Sequence, residues 1–145
     1  MRIVLQRVSR AAVVVDGSEV ASIGAGCLLL VCVARGDDTA VASRAARKIA
    51  GLRLFEDAAG RMNLDLAGVG GALLVVSQFT LLADVSRGRR PSFEGAAPGD
   101  VAEPLVELFA GYLREAGFAV ATGLCGAHMQ VELVNDGPVT LVLDF

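Results

Sequence analysis

Apolar and polar residues alternate with a period of two at both ends of the chain. At the start, Ile3, Leu5 and Arg7 fall on one face and Val4, Gln6 and Val8 on the other, which predicts a strand over Met1–Ser9. Near the end, Met129, Val131 and Leu133 alternate with Gln130 and Glu132, and Val139, Leu141 and Leu143 continue the pattern beyond Gly137-Pro138. Asn135-Asp136-Gly137 are turn formers, so the segment predicts a hairpin between two strands. Pro138 sits awkwardly there, because it removes a ladder donor and fixes φ. An X-Pro bond in a tight turn is also a place where a cis peptide occurs. Two readings follow for Gly137-Pro138. One is a turn stiffened by proline, and the other is a rigid pair of backbone carbonyls with no side chain at Gly137 in front of them.

Between these ends the pattern changes. Cys27–Ala34 and Ala72–Phe79 are almost wholly apolar, as expected of strands buried on both faces. Asp16-Gly17 between apolar flanks predicts a tight hairpin within Val13–Val20. A first helix starts at the capping residues Asp37-Asp38-Thr39, repeats Val41, Ala45 and Ile49 on one face, carries Arg44, Arg47 and Lys48 late and stops at Gly51. A second starts with Asp100 and Glu103 spaced as a capping box and presents Leu105, Leu108, Phe109, Tyr112 and Leu113, with Gly117 as its stop. Leu52–Phe55 predicts a short strand before a turn at Gly60, Thr80–Pro98 has little regular pattern, and strands resume at Ala119–Thr122. The sum is one α+β domain over residues 1–145, with a curved, barrel-like antiparallel or mixed sheet and two main helices on one side.

Composition narrows the function classes. With 54% hydrophobic and 20% charged residues the chain has the material for a core and is not a disordered segment. The Cys27–Ala34 run is far short of the ~18 residues that span a bilayer, so no membrane partner is expected. Arg7 and Arg10 interrupt any signal-peptide pattern, which predicts a cytoplasmic protein. The three cysteines show no metal-type spacing and read as buried small hydrophobes, and His128 is the single histidine. No metal site or cofactor is therefore expected. Gly68-Val-Gly-Gly71 precedes a strand, whereas a dinucleotide fingerprint follows one.

Two segments carry candidate chemistry. Ser77-Gln78-Phe79-Thr80 ends a buried strand and enters an irregular loop. A nucleophilic Thr80 or Ser77 needs a base within hydrogen-bond reach, and only His128 could serve as a histidine base. Strand-end hydroxyls that bond nearby backbone are the plainer reading. Ser86-Arg87-Gly88-Arg89-Arg90-Pro91-Ser92-Phe93 concentrates three guanidinium groups in a loop, to which Arg7 and Arg10 can add, and suits phosphate contacts. The net charge of −3 gives no basic field overall, so such binding would be local.

Taken in order, Gln6-Arg7-Val8, Met62-Asn63-Leu64, Ser77-Gln78-Phe79-Thr80-Leu81, Gly88-Arg89-Arg90-Pro91-Ser92-Phe93 and Val134-Asn135-Asp136-Gly137-Pro138-Val139-Thr140 resemble the D-aminoacyl-tRNA deacylases over nearly the whole chain. The resemblance implies hydrolysis of the ester between a D-amino acid, or mischarged glycine, and the 3′-terminal ribose of tRNA. It implies a homodimer in which the Gly137-Pro138 segment of one subunit, with a cis peptide, enters the pocket of the other. Ser77, Gln78, Phe79 and Thr80 would form the catalytic wall, with backbone N–H groups near Phe79 and Thr80 and the ribose 2′-hydroxyl assisting. Gly137, Pro138, Val139 and Thr140 would bind substrate and reject L-amino acids. Arg7, Arg87, Arg89 and Arg90 would contact tRNA.

Overall fold

A computed structural model describes all 145 residues, Met1–Phe145. The chain runs β1 (Arg2–Val15), β2 (Ser18–Ile23), β3 (Gly26–Cys32), α1 (Thr39–Ala50), β4 (Arg53–Glu56), β5 (Met62–Asp65), β6 (Ala72–Ser77), α2 (Gly99–Glu115), β7 (Val120–Thr122) and β8 (Gln130–Asp144). The main sheet has the order β2-β1-β3-β6-β7, with β8 on the other edge of β1. β1 is antiparallel to β2, β3 and β8, while β6 lies parallel to both β3 and β7. The sheet is thus mixed. β2 curls back against β6 and β7, which gives the nearly closed, barrel-like form. β4 and β5 make a separate antiparallel pair.

The apolar runs are explained by burial on both sides. Cys27, Leu29, Val31, Leu73 and Val75 face α1 and α2 and pack around Phe109, Leu113 and Ile49. Leu28, Leu74 and Val76 face the inside of the curl with Val8, Ala11 and Val13. The helices therefore cover one face of the sheet, and the other face closes on itself. Asp38 caps α1 by accepting from the Val41 N–H at 2.9 Å. Asp16 and Gly17, both at positive φ, make the tight β1–β2 turn.

Three sequence expectations are corrected. The hairpin at Asn135–Gly137 is a single strand, because β8 runs unbroken alongside β1 and absorbs the extra residues as a bulge. Val8 pairs with Asn135 and Gln6 with Thr140, so Arg7 alone stands opposite Asp136–Val139. The bulge removes Pro138 from the ladder, where its missing donor would have cost a hydrogen bond. α2 begins one residue before Asp100, with Pro98 as its cap and no side-chain capping bond, so Asp100 acts instead as a negative charge in the first turn. Cys27 and Cys32 are buried as expected, but Cys125 is exposed. No helix is long and apolar enough to cross a membrane.

Candidate active site

The parallel pairing of β6 with β3 delivers Ser77 to the sheet edge opposite Val31, and the Gln78 N–H extends that ladder to the Val31 carbonyl at 2.8 Å. The backbone then tightens into a 3₁₀ turn, Phe79–Leu82. Phe79 and Thr80 open this turn, so their N–H groups have no acceptor within it. The Cys32 thiol, from β3, contacts the Phe79 carbonyl at 3.3 Å and pins the turn from beneath. The Phe79 ring is 55% exposed and meets Phe93 edge-on at 5.0 Å.

These residues wall a cavity of about 630 Å³. Ser77, Gln78 and Phe79 form one side, Phe93 and Arg35 another, and the loop that carries Cys125, His128 and Met129 a third. His128 is thus brought to the same cavity as Ser77 and Gln78, although it lies far from them in sequence. Thr80 is placed at the shoulder rather than among the lining residues. Its Oγ1 accepts from the Gln78 Nε2 at 2.5 Å, and both side chains are exposed to solvent at that bond. The hydroxyl therefore orients a carboxamide and has no base beside it. No three His, Cys, Asp or Glu side chains gather in a way that could hold a metal ion.

Gly137–Thr140 form a second, separate feature. None of these residues lines the cavity. Arg7 is in register with Cys27, and Cys27 with Leu73, which precedes Ser77 on β6. The bulge thus lies ~13 Å back along the strand direction and ~14 Å across the sheet from Ser77. The Gly137-Pro138 peptide is cis, and Gly137 has φ +138°. Its neighbours are tightly held. Asn135 Oδ1 accepts from the Val139 N–H at 2.8 Å, while the Asn135 Nδ2 donates to Thr140 Oγ1 at 2.9 Å. Gln6 Nε2 donates to the same hydroxyl at 3.3 Å.

Arg7 is the correction among the expected tRNA contacts. It is the one charged side chain in the buried core. Its Nη1 donates to the Leu54 carbonyl at 2.5 Å and its Nε to the Asp136 carbonyl at 2.9 Å, with the guanidinium 6.0 Å from the Phe55 ring centroid. It is spent on holding the bulge and is not available to phosphate. Arg87, Arg89 and Arg90 are exposed and make no ion pair, in a loop closed by paired backbone bonds between Asp84 and Ser92. Hydrogen bonds from Ser86 hold the Asp84 carboxyl below the usual carboxylate range, so the base of the loop stays ionised.

A family model described as D-Tyr-tRNA(Tyr) deacylase matches residues 4–144. The chain belongs to this family. It is 62% identical over 144 residues to a D-aminoacyl-tRNA deacylase of Thermomicrobium roseum, covering 99% of this chain and 94% of that protein. A D-aminoacyl-tRNA deacylase of Anaeromyxobacter dehalogenans is 58% identical, with 99% and 97% covered. A solved structure titled c-Myc DNA Unwinding Element Binding Protein superposes with a TM-score of 0.94 at 37% identity, covering 100% of this chain and 99% of that one. A probable eukaryotic D-amino acid tRNA deacylase shares the fold at a TM-score of 0.83 and 17% identity, covering 99% and 98%.

Proposed function

We propose that this chain hydrolyses the ester between a D-amino acid and the 3′-terminal ribose of tRNA, releasing free tRNA and the amino acid, and does the same for glycine mischarged on tRNA. The observation that carries the reading is the Ser77–Phe79 cavity in a chain that matches deacylases over its full length. Water is the nucleophile. Its oxygen attacks the ester carbonyl, the bond to the ribose 3′-oxygen breaks, and that oxygen leaves with a proton. The neighbouring 2′-hydroxyl organises the water, and the free N–H groups of Phe79 and Thr80 face the developing oxyanion. Thr80 acts by holding the Gln78 carboxamide.

Chiral selection falls to the Gly137-Pro138 backbone of a second copy of the chain. One protomer keeps this bulge away from its own cavity, and β8 pairs only with β1, leaving its outer edge open for association. Val134 and Val142 on β8 are exposed. An L side chain would point where the D enantiomer carries hydrogen, into that backbone, while glycine has no side chain to clash. Arg87, Arg89 and Arg90 contact the tRNA backbone, and the reaction takes place in the cytoplasm.

Incubation with D-tyrosyl-tRNA, L-tyrosyl-tRNA and glycyl-tRNA tests the reading. Loss of the D and glycyl esters with survival of the L ester is the expected result. Binding of tRNA without turnover would leave an RNA-binding module instead, and hydrolysis of simple esters lacking tRNA would make it a small-molecule esterase. Sedimentation at equilibrium should give twice the protomer mass.

A further inference from the structure

We propose that Arg35 is a substrate-binding residue of the cavity and takes the phosphate on the 5′ side of the terminal adenosine. This rests on the deacylase reading above. Arg35 follows β3 and lines the same cavity as Ser77, Gln78 and Phe79. It is exposed and forms no ion pair. Of the carboxylates near it in sequence, Asp37 is spent on the buried N-terminal ammonium at 2.6 Å and on the Ala34 N–H at 2.7 Å.

The guanidinium is nonetheless positioned. Its Nε donates to the Glu94 carbonyl at 2.6 Å, and the Arg35 N–H donates to the Gly95 carbonyl at 3.0 Å. Holding Nε fixes the plane of the group and leaves both terminal nitrogens without protein partners. A planar pair of donors on the wall of a cavity is suited to two oxygens of one phosphate. The same contact braces the segment that carries Phe93, whose ring packs on Phe79. Arg35 is thereby tied to the wall that meets the ester. A nucleoside whose 3′-ester reaches Ser77–Phe79 carries its own 5′-phosphate as the anion nearest to that wall. The exposed arginines of the 87–90 loop precede Phe93 in sequence and would meet phosphates further along the strand.

The test compares three D-tyrosyl esters: 3′-(D-tyrosyl)adenosine, the same ester of adenosine 5′-phosphate, and D-tyrosyl-tRNA. Turnover of D-tyrosyl-tRNA by the unmodified protein comes first, since its absence would remove the deacylase reading itself. For Arg35→Ala the proposal expects KM to rise ~10-fold or more further on both phosphate-bearing esters than on the plain adenosine ester, as loss of a charge-assisted bond gives. Arg35→Lys should recover part of the loss. The salt slope of tRNA binding should shrink by about 0.7, one single-strand phosphate contact. Equal losses on all three esters would make Arg35 merely a brace for the Phe93 segment, and unchanged KM on the phosphate-bearing esters would leave it a bystander. Either result overturns the proposal.

Discussion

Arg7 donates from Nε to the carbonyl oxygen of Asp136 at 2.9 Å, so a buried guanidinium from the first strand grips the bulge in the last. The bond crosses 129 positions of sequence. Because Nη1 also reaches the Leu54 carbonyl, one side chain ties β1, β4 and β8 together. Removing it strands the buried Leu54 carbonyl oxygen and leaves the partly buried Asp136 carbonyl to water. Arg7→Ala should therefore cost about 1–3 kcal/mol for each group left unsatisfied, and Arg7→Lys should recover only one of the two bonds. Chemical denaturation measures the first effect. Deacylation by the fraction that remains folded should fall further than stability does, since the bulge loses its clamp. Full activity in a folded Arg7→Ala protein would separate the clamp from function.

Gly137 provides a second test at the same bulge. At φ +138° a Cβ would stand 2.9 Å from Val139 Cγ2 and 3.0 Å from Arg7 Nη2. Gly137→Ala is strained in backbone and crowded in space at once. The expected outcome is a folded protein with little deacylation of D-tyrosyl-tRNA, because the surrounding strand pairs are untouched while the bulge is displaced. Far-ultraviolet circular dichroism alongside the rate assay checks both halves. Wild-type rates would show that the local backbone has no part in the reaction.

Much of this arrangement was visible in the sequence. The runs at Cys27–Ala34 and Leu73–Val76 announce strands buried on both faces, because two-sided burial leaves no polar alternation to misread. Asp38 and Asp16-Gly17 are local signals with local causes, and both elements form where expected. The Asn135–Gly137 segment misleads because a hairpin and a bulge use the same residues. What decides between them is whether a long partner strand runs alongside, and that partner, β1, is remote in sequence. Arg7 misleads for a related reason. A charge in a strand reads as exposed, and the groups that bury it are main-chain carbonyls with no side-chain signature. Met62–Asp65 is too short to show alternation and exists as a strand through its pairing with β4. The Ser77–Phe79 wall was legible as a motif, but the meeting with His128 and Arg35 needed the topology.

Thr80 separates a positioning role from a nucleophilic one. Its hydroxyl accepts from Gln78 and has no base beside it. Thr80→Ser keeps the acceptor and should retain most activity. Thr80→Ala frees the carboxamide and should slow deacylation several-fold, without a covalent intermediate at any stage. Rapid quench with intact-mass detection is the decisive measurement. An acyl adduct on Thr80 in the native protein would restore the nucleophile.

The basic loop predicts a salt dependence. Arg87, Arg89 and Arg90 are unpaired, and each single-strand phosphate contact contributes about 0.7 to the slope of log affinity against log salt. Replacing all three with alanine should flatten the slope by about 2 if each meets one phosphate. Melting temperature should not move, since none of the three bonds to the body of the protein. Titration of uncharged tRNA at several salt concentrations gives the slope, and an unchanged slope would place the tRNA on another face.

The cysteines divide by reactivity in a way that reports on the cavity. Burial pushes the Cys27 thiol up to about 12, so at pH 8 it carries almost no thiolate. Burial also raises Cys32. Cys125 is exposed and lines the cavity beside His128. Limited alkylation at pH 8 should therefore label Cys125 alone, with the other two reacting only after unfolding. A bulky adduct there occupies space that the aminoacylated end needs, so deacylation should fall in proportion to labelling, and bound tRNA acceptor-end analogue should protect the thiol. Cys125→Ser should resist inactivation while keeping its activity, which distinguishes blockage of the cavity from a chemical role for the sulfur. Inactivation of Cys125→Ser at the same rate would mean that the labelled group controlling activity lies elsewhere.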